Sequence, residues 1–347
     1  MSCYRPLKGF PIGLTDNGKT DYYITSYECD HVEIDGSGHK SACFTSTRGN
    51  NCKKYIRDFI QIPCGRCIGC RLDYSRQWAD RCMLELGYHD ESWFVTLTYD
   101  EENLPLSESL DMETGEIVQH ATLVKRDLQL FLKRLRKAYD ERYPGKKIRY
   151  YACGEYGSNT FRPHYHIIIF GLHLDDIRLY RQSPDGYHYY NSDWLDKRWK
   201  KGFAVLGRVN WDTCAYTARY ILKKQYGFNA QVYKELNITP EFTTMSLKPA
   251  IGRQYFEDHK DSIYDTDCIY IGTEEGSRKI IPPKYFDKKM EELDADLVAG
   301  LKEKRREYAQ YSTELKNKQT DKSFLERLET EEFVKTEQIK ALKRKEF

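Results

Sequence analysis

The sequence lacks the features of a membrane-spanning or secreted protein. Its 347 residues contain no apolar run approaching the roughly 18 residues that a membrane-spanning helix needs. The first 18 residues hold no sustained apolar stretch, so no signal peptide is expected. The 11 cysteines are an odd number, and nothing else points to secretion. They are therefore expected to be cytosolic thiols, some of them candidate metal ligands, rather than a disulfide framework.

The chain also lacks a strong overall charge and an ATP-binding loop. Its formal net charge is only +2, so global charge does not identify a nucleic-acid-binding protein. No Gly-x-x-x-x-Gly-Lys-Ser/Thr loop is present, so any helicase activity is expected to come from a partner. Charge is uneven locally, since residues 125–150 carry ten Lys/Arg against three Asp/Glu. The 28 tyrosines suit base stacking, but they suit an ordinary core equally well.

The apolar pattern predicts an α+β fold, an antiparallel sheet with helices on one face. Strands are expected over residues 93–99, 147–153, 165–170 and 203–209. Helices are expected over residues 71–86, 122–139, 194–200 and 213–225. Thr122 and Asp212 are the expected N-caps.

Four regions are expected along the chain. They are an N-terminal segment with a candidate zinc site, a catalytic domain, a mixed accessory region and a charged helical extension, over residues 1–90, 91–230, 231–283 and 284–347. The extension holds sixteen Lys/Arg and fifteen Asp/Glu, which indicates a solvated, helical and partly disordered segment.

His164 and His166 enter a run of β-formers and lie on one face of a strand, about 7 Å apart. Glu155 ends the preceding predicted strand, and a hairpin would place it beside them. Two imidazoles and a carboxylate leave open positions on a divalent ion, suiting Mn²⁺ and also Mg²⁺. The alternative is a pair of surface histidines flanking a tyrosine.

Tyr216 and Tyr220 are four residues apart and project from one face of the last predicted helix. Lys223 and Lys224 follow within a turn, and a nearby ammonium helps a phenol to ionise. The alternative is that both tyrosines simply pack against the sheet.

Cys64, Cys67 and Cys70 have a spacing typical of metal sites. With a fourth ligand from Cys3 or Cys52 they would hold structural Zn²⁺. An iron–sulfur cluster and reduced thiols without metal stay open as alternatives.

Basic side chains on the helix near residues 125–137 are candidates for contact with DNA phosphates, although a solvated helix face explains them equally well. The DNA-contact candidates are Lys125, Lys133, Arg136 and Arg219.

Together, the strand over 93–99, His164-Tyr165-His166 and the tyrosine–lysine helix resemble the three motifs of HUH-superfamily rolling-circle replication initiators. The likeness is strongest to the replication initiators of microviruses, single-stranded DNA phages of the gokushovirus type. Further matching segments are 62–71, 127–135 and 152–157, and the likeness spans about residues 60–290.

The resemblance implies an HUH endonuclease-like fold that nicks single-stranded DNA at the phage origin. It implies Glu155, His164 and His166 as ligands of catalytic Mg²⁺ or Mn²⁺. It also implies attack by Tyr216 or Tyr220, with Lys224 favoured over Lys223 as helper, and a 5′-phosphotyrosine intermediate followed by strand transfer. The implied setting is the host bacterial cytoplasm, with a host helicase and DNA polymerase as partners and no membrane.

Two other functions stay open. One is a transposase-like tyrosine nuclease, although such chains are usually much shorter. The other is a zinc-stabilised DNA-binding protein without catalytic activity. In conjugative relaxases the tyrosine precedes the histidines, an order that this chain does not share.

Overall fold

The computed structural model describes residues 3–47, 49, 52–157, 160–183, 186–219, 230–273 and 276–341. The chain divides into two compact units, residues 1–73 with 303–347 and residues 74–302. Among the described residues, none of the helices combines the length and the apolar character that crossing a bilayer requires.

Seventeen strands lie in the described residues. They are β1 Leu7–Leu14, β2 Thr20–Ser26, β3 His31–Asp35, β4 Lys40–Cys43, β5 Cys52–Ile56, β6 Ile60–Ile62, β7 Ser92–Tyr99, β8 Leu106–Leu110, β9 Ile117–Ala121, β10 Arg149–Tyr156, β11 Pro163–Phe170, β12 Arg178–Gln182, β13 His188–Asn191, β14 Gly202–Arg208, β15 Phe242–Met245, β16 Ile269–Thr273 and β17 Gly276–Ile280.

Nine helices lie in the same described residues. They are α1 Ile68–Leu86, α2 Lys125–Arg142, α3 Asp193–Trp199, α4 Trp211–Arg219, α5 Val232–Glu235, α6 Arg253–Thr266, α7 Lys284–Glu291, α8 Ala295–Asn317 and α9 Phe324–Ala341. The predicted mixture of helices and antiparallel strands is confirmed.

A seven-stranded antiparallel sheet dominates the second unit, in the order β12-β13-β14-β7-β11-β10-β15. Strand β11 lies inside this sheet, between β7 and β10. Because strand side chains alternate, one set of β11 residues faces each side of the sheet. The central strand therefore has two surfaces with different tasks.

One surface of the sheet packs against α2 and α3 to form the main hydrophobic core. The predicted apolar stripe of α2 is fully buried and consists of Leu128, Phe131, Leu132 and Leu135. Burial of each such side chain stabilises the fold by about 1.5–3 kcal/mol.

The opposite surface is also covered, which corrects the prediction of helices on one face. Trp78 of α1 stacks on Tyr151 of β10, with ring centroids 5.0 Å apart. Tyr216 of α4 lies edge-on to Phe94 of β7. Both β-strand residues lie on the face opposite the α2 core, because they alternate with core residues along their strands.

Both predicted N-caps are wrong. Helix α2 begins after Val124, which makes no side-chain cap, while the Thr122 hydroxyl accepts the Thr239 N–H. At α4 the side chain of Asn210, not Asp212, accepts the Thr213 N–H at 2.9 Å. Local residue preference did not distinguish neighbouring polar residues whose partners are set by tertiary packing.

Candidate active site

The segment His164-Tyr165-His166 sends its middle side chain into the α2 core and its outer two to the opposite face. The Tyr165 hydroxyl lies 2.9 Å from the Val124 carbonyl oxygen, to which it donates. It also accepts the Val124 N–H at 3.1 Å. These bonds tie β11 to the start of α2 and fix which face the two histidines occupy.

The three predicted ligands come together on that face. Glu155 pairs directly with His164 across the β10–β11 ladder. Its Oε1 atom lies 2.5 Å from Nε2 of His164 and 3.1 Å from Nε2 of His166. One ligand atom from each residue lies within 4.8 Å of the others, a spacing that can hold a metal ion.

The other ring nitrogen of each histidine has its own partner. Nδ1 of His164 lies 3.1 Å from the Arg162 carbonyl oxygen, and Nδ1 of His166 lies 3.0 Å from the Thr96 hydroxyl. A carbonyl oxygen only accepts, so Nδ1 of His164 carries a proton. A proton on each Nδ1 leaves the Nε2 lone pairs available to a metal, the usual arrangement of metal-binding histidines.

The electrostatics favour an ionised carboxylate at this site. Glu155 is only 1 % exposed, as is His166. Burial by itself raises the pKa of Glu155, but hydrogen bonds from His164 and His166 outweigh it and lower the pKa to about 2. A buried anion beside two imidazoles is well suited to bind a cation.

Helix α4 brings Tyr216 to the histidines. Its ring centroid lies 5.2 Å from that of His166, and the two rings meet edge to face. The Phe94 ring also stacks on the His166 imidazole, with centroids 5.3 Å apart and planes nearly parallel. The predicted Tyr220, Lys223 and Lys224 lie outside the described residues.

Thr96 was missed from the sequence, although it holds a ligand in place. It sits on β7 directly opposite His166. The alternating pattern of the strand over 93–99 assigns Thr96 to one face, but it does not say which other strand will be its neighbour. That pairing joins residues 70 positions apart.

The chain matches known proteins over this same region. The family model for the replication-associated protein ORF2 matches residues 92–225, from β7 through the tyrosine helix. The replication-associated protein ORF2 of Spiroplasma virus 4 is 38% identical over 260 residues, covering 74% of this chain and 76% of that protein. The chain belongs to the ORF2 family of replication-associated proteins.

Two further relatives are also phage proteins. The replication-associated protein VP4 of Bdellovibrio phage phiMH2K is 32% identical over 65% of this chain and 66% of its own length. The replication-associated protein ORF4 of Chlamydia phage 1 is 30% identical over 53% of this chain and 44% of its own length. No solved structure matches. The predicted resemblance to microvirus replication proteins is confirmed.

In this member of the family the basic side chains of α2 lie apart from the histidine face. Lys125, Lys133 and Arg136 are on α2, whose buried side packs on the opposite surface of the sheet. Arg136 lies over the Tyr150 ring. The backbone of Arg219 ends α4, and its side chain is outside the description. Contact of these four residues with DNA stays a prediction.

The predicted cysteine group gains a fourth member in the first unit. Cys3, Cys64, Cys67 and Cys70 have sulfur atoms within 4.8 Å of one another. The Cys3 thiol and the N–H groups of Cys70 and Tyr4 point at the Cys67 sulfur and lower its pKa to about 4. Cys52 is absent from this group among the described residues.

Proposed function

We propose that the protein starts rolling-circle replication of a single-stranded DNA phage by nicking the origin strand. The observation that carries this proposal is the convergence of Glu155, His164 and His166, with Tyr216 against His166. The names of the phage relatives support a role in replication over other uses of such a site.

The ligand set fits a divalent cation. One carboxylate oxygen and two imidazole nitrogens are already close together, and both imidazoles are held from behind through Nδ1. Mixed oxygen and nitrogen ligands suit Mn²⁺, and Mg²⁺ is the candidate in cells. When bound, such an ion supplies positive charge that polarises the scissile phosphate.

The proposed nucleophile is a tyrosine of the α4 segment. The phenol oxygen of Tyr216 or Tyr220 bonds to phosphorus while the bond from phosphorus to the 3′ oxygen breaks. The 3′ oxygen takes up a proton, leaving a 3′-hydroxyl on one fragment and a 5′-phosphotyrosine on the other. An ammonium near the phenol favours its ionised form. We assign that task to Lys224, with Lys223 as the alternative.

Two tyrosines allow the reaction to close a circle. After one round of synthesis, the second phenol cleaves the regenerated origin while the first still holds the old 5′ end. The new 3′-hydroxyl then attacks the first phosphotyrosine, forming a phosphodiester bond and releasing the phenol. In this scheme a host DNA polymerase extends the nicked strand and a host helicase unwinds the duplex, since the chain lacks an ATP-binding loop.

The proposal is tested with overlapping single-stranded oligonucleotides that tile the parent phage genome. Each is labelled at its 3′ end and incubated with the purified protein and Mn²⁺ or Mg²⁺. One oligonucleotide should transfer its label to the protein, and the adduct should survive a denaturing gel. The 5′ fragment should carry a 3′-hydroxyl that a DNA polymerase extends.

Substitutions identify the chemistry behind the adduct. A Tyr216→Phe/Tyr220→Phe double variant should form no adduct, whereas Tyr308→Phe, at a tyrosine that is 75% exposed, should behave like the wild type. Binding of DNA without an adduct on any tile would sink the nicking mechanism and favour a non-catalytic DNA-binding protein. Preference for paired hairpin ends over one origin would favour a transposase-like nuclease.

A further inference from the structure

The four-cysteine group is built from two distant parts of the first unit. Cys3 precedes β1, while Cys64 and Cys67 lie just before α1 and Cys70 lies in its first turn. The sulfur atoms form two close pairs, Cys64–Cys70 at 4.0 Å and Cys3–Cys67 at 3.9 Å. The group serves no step of the proposed nicking reaction, so it needs its own explanation.

These distances fit one tetrahedral ion. With Zn–S bonds of about 2.3 Å, two sulfurs of a tetrahedral site lie about 3.8 Å apart. A disulfide needs sulfurs only about 2.05 Å apart. In a cluster of several irons the thiolates attach to different metal atoms, which spreads them more widely than around one ion. Four sulfurs close to one another therefore favour a single ion.

The turn at Cys64 is shaped to hold a thiolate. The Cys64 sulfur accepts the N–H groups of Arg66 at 3.4 Å and of Cys67 at 3.3 Å. Gly65 makes this turn with a φ of +72°, where a side chain would add strain. Backbone donors aimed at sulfur stabilise the negative charge that a metal-bound thiolate carries.

The same pattern surrounds the other sulfurs. Cys67 accepts the N–H groups of Tyr4 at 3.3 Å and of Cys70 at 3.5 Å. Cys3 accepts the N–H of Cys64 at 3.3 Å. Three of the four sulfurs thus receive backbone N–H groups, and the donors come from both parts of the chain that form the group.

We propose that Cys3, Cys64, Cys67 and Cys70 bind one structural Zn²⁺ ion. Four protein ligands complete a tetrahedral shell and leave no open position for a substrate, so the ion has a structural role. It links Cys3 to a turn 61 residues later. Metal binding of this kind contributes directly to folding.

Cys3 separates this proposal from a site made by Cys64, Cys67 and Cys70 alone. The full chain is purified, and its metal content is measured by mass spectrometry. We expect about one zinc per chain. Cys3→Ser should lower zinc affinity at least about tenfold, as loss of one ligand weakens such a site. Cys52→Ser is the matched control and should retain wild-type affinity, because its thiol bonds instead to the Lys54 carbonyl.

Cobalt gives a second readout that does not depend on activity. Co²⁺ added to the metal-free chain should produce the visible absorption of a tetrahedral tetrathiolate site. In Cys3→Ser that absorption should shift as one sulfur is lost, and Cys3→His should restore zinc binding with a different spectrum. The proposal is overturned if the purified chain holds iron instead of zinc. It is also overturned if Cys3→Ser leaves the cobalt spectrum unchanged, or if the wild type binds neither metal.

Discussion

Replacing Thr96 with valine tests whether the site is organised for metal. The substitution keeps the branched shape of the side chain and removes only the hydroxyl that lies 3.0 Å from Nδ1 of His166. Without this partner, the imidazole loses the contact that favours a proton on Nδ1 and a lone pair on Nε2. Loss of such supporting contacts lowers metal affinity about 10- to 100-fold, or about 1.4–2.7 kcal/mol.

Thr98→Val is the matched control on the same strand. Thr98 lies opposite His164, but its hydroxyl points 3.4 Å from the Phe203 carbonyl oxygen. His164 is held instead by the backbone carbonyl of Arg162, which a side-chain change does not remove. Thr98→Val should therefore change metal affinity by less than about threefold, which corresponds to less than about 0.7 kcal/mol.

The assay is a Mn²⁺ titration of the metal-free chain by calorimetry, with thermal unfolding measured alongside. Both variants should unfold within a few degrees of the wild type, because one hydrogen bond contributes only about 0.5–1.5 kcal/mol net. Equal Mn²⁺ affinity in Thr96→Val and the wild type would refute the reasoning. An equal loss in both variants would do so too, since the contacts to the two histidines differ.

Other contacts in the second unit support three more predictions. Burial raises the pKa of Glu85, but hydrogen-bond donors outweigh it and lower the pKa below its usual 4.5. This carboxylate therefore stabilises the fold above about pH 4.5, an effect lost as pH falls through the lowered pKa; urea unfolding of Glu85→Gln should show a flatter acid dependence, and an unchanged slope would contradict this. Gly202→Ala would place a Cβ 2.3 Å from the Thr98 carbonyl oxygen, so urea unfolding should show a loss of at least about 2 kcal/mol. Gly300→Ala, with no atom within 4 Å, should not destabilise the fold, and equal stability of the two variants would contradict the steric argument. If Lys133 contacts DNA phosphates, Lys133→Gln should reduce the salt dependence of single-strand binding by about 0.7 in log–log slope, and an identical slope would remove that residue from the interface.

The local part of the candidate site could be predicted from the sequence. Alternation placed His164 and His166 on one strand face, and the short connection between β10 and β11 brought Glu155 opposite His164. The apolar stripe of α2 likewise follows from helical spacing. These features depend on residues close together in the chain, where periodicity carries the information.

The non-local part could not be predicted. Thr96 reaches His166 only because β7 pairs with β11, and no local pattern specifies that neighbour. Cys3 and Cys52 were equal candidates for the fourth thiol until the fold brought one of them to Cys64. The second layer of helices on the sheet was missed for the same reason, since one strand pattern fits either a covered or an open face.

The position of β11 between two partners has a consequence for change within this segment. The strand works like a reading frame, in which odd and even residues have different meanings. One inserted residue before His164 would exchange the two frames, sending both imidazoles toward α2 and the Tyr165 phenol toward Glu155. The ligands and the core anchor are thus encoded by the same three residues. Variation in this segment is expected as substitutions in place, not as insertions or deletions.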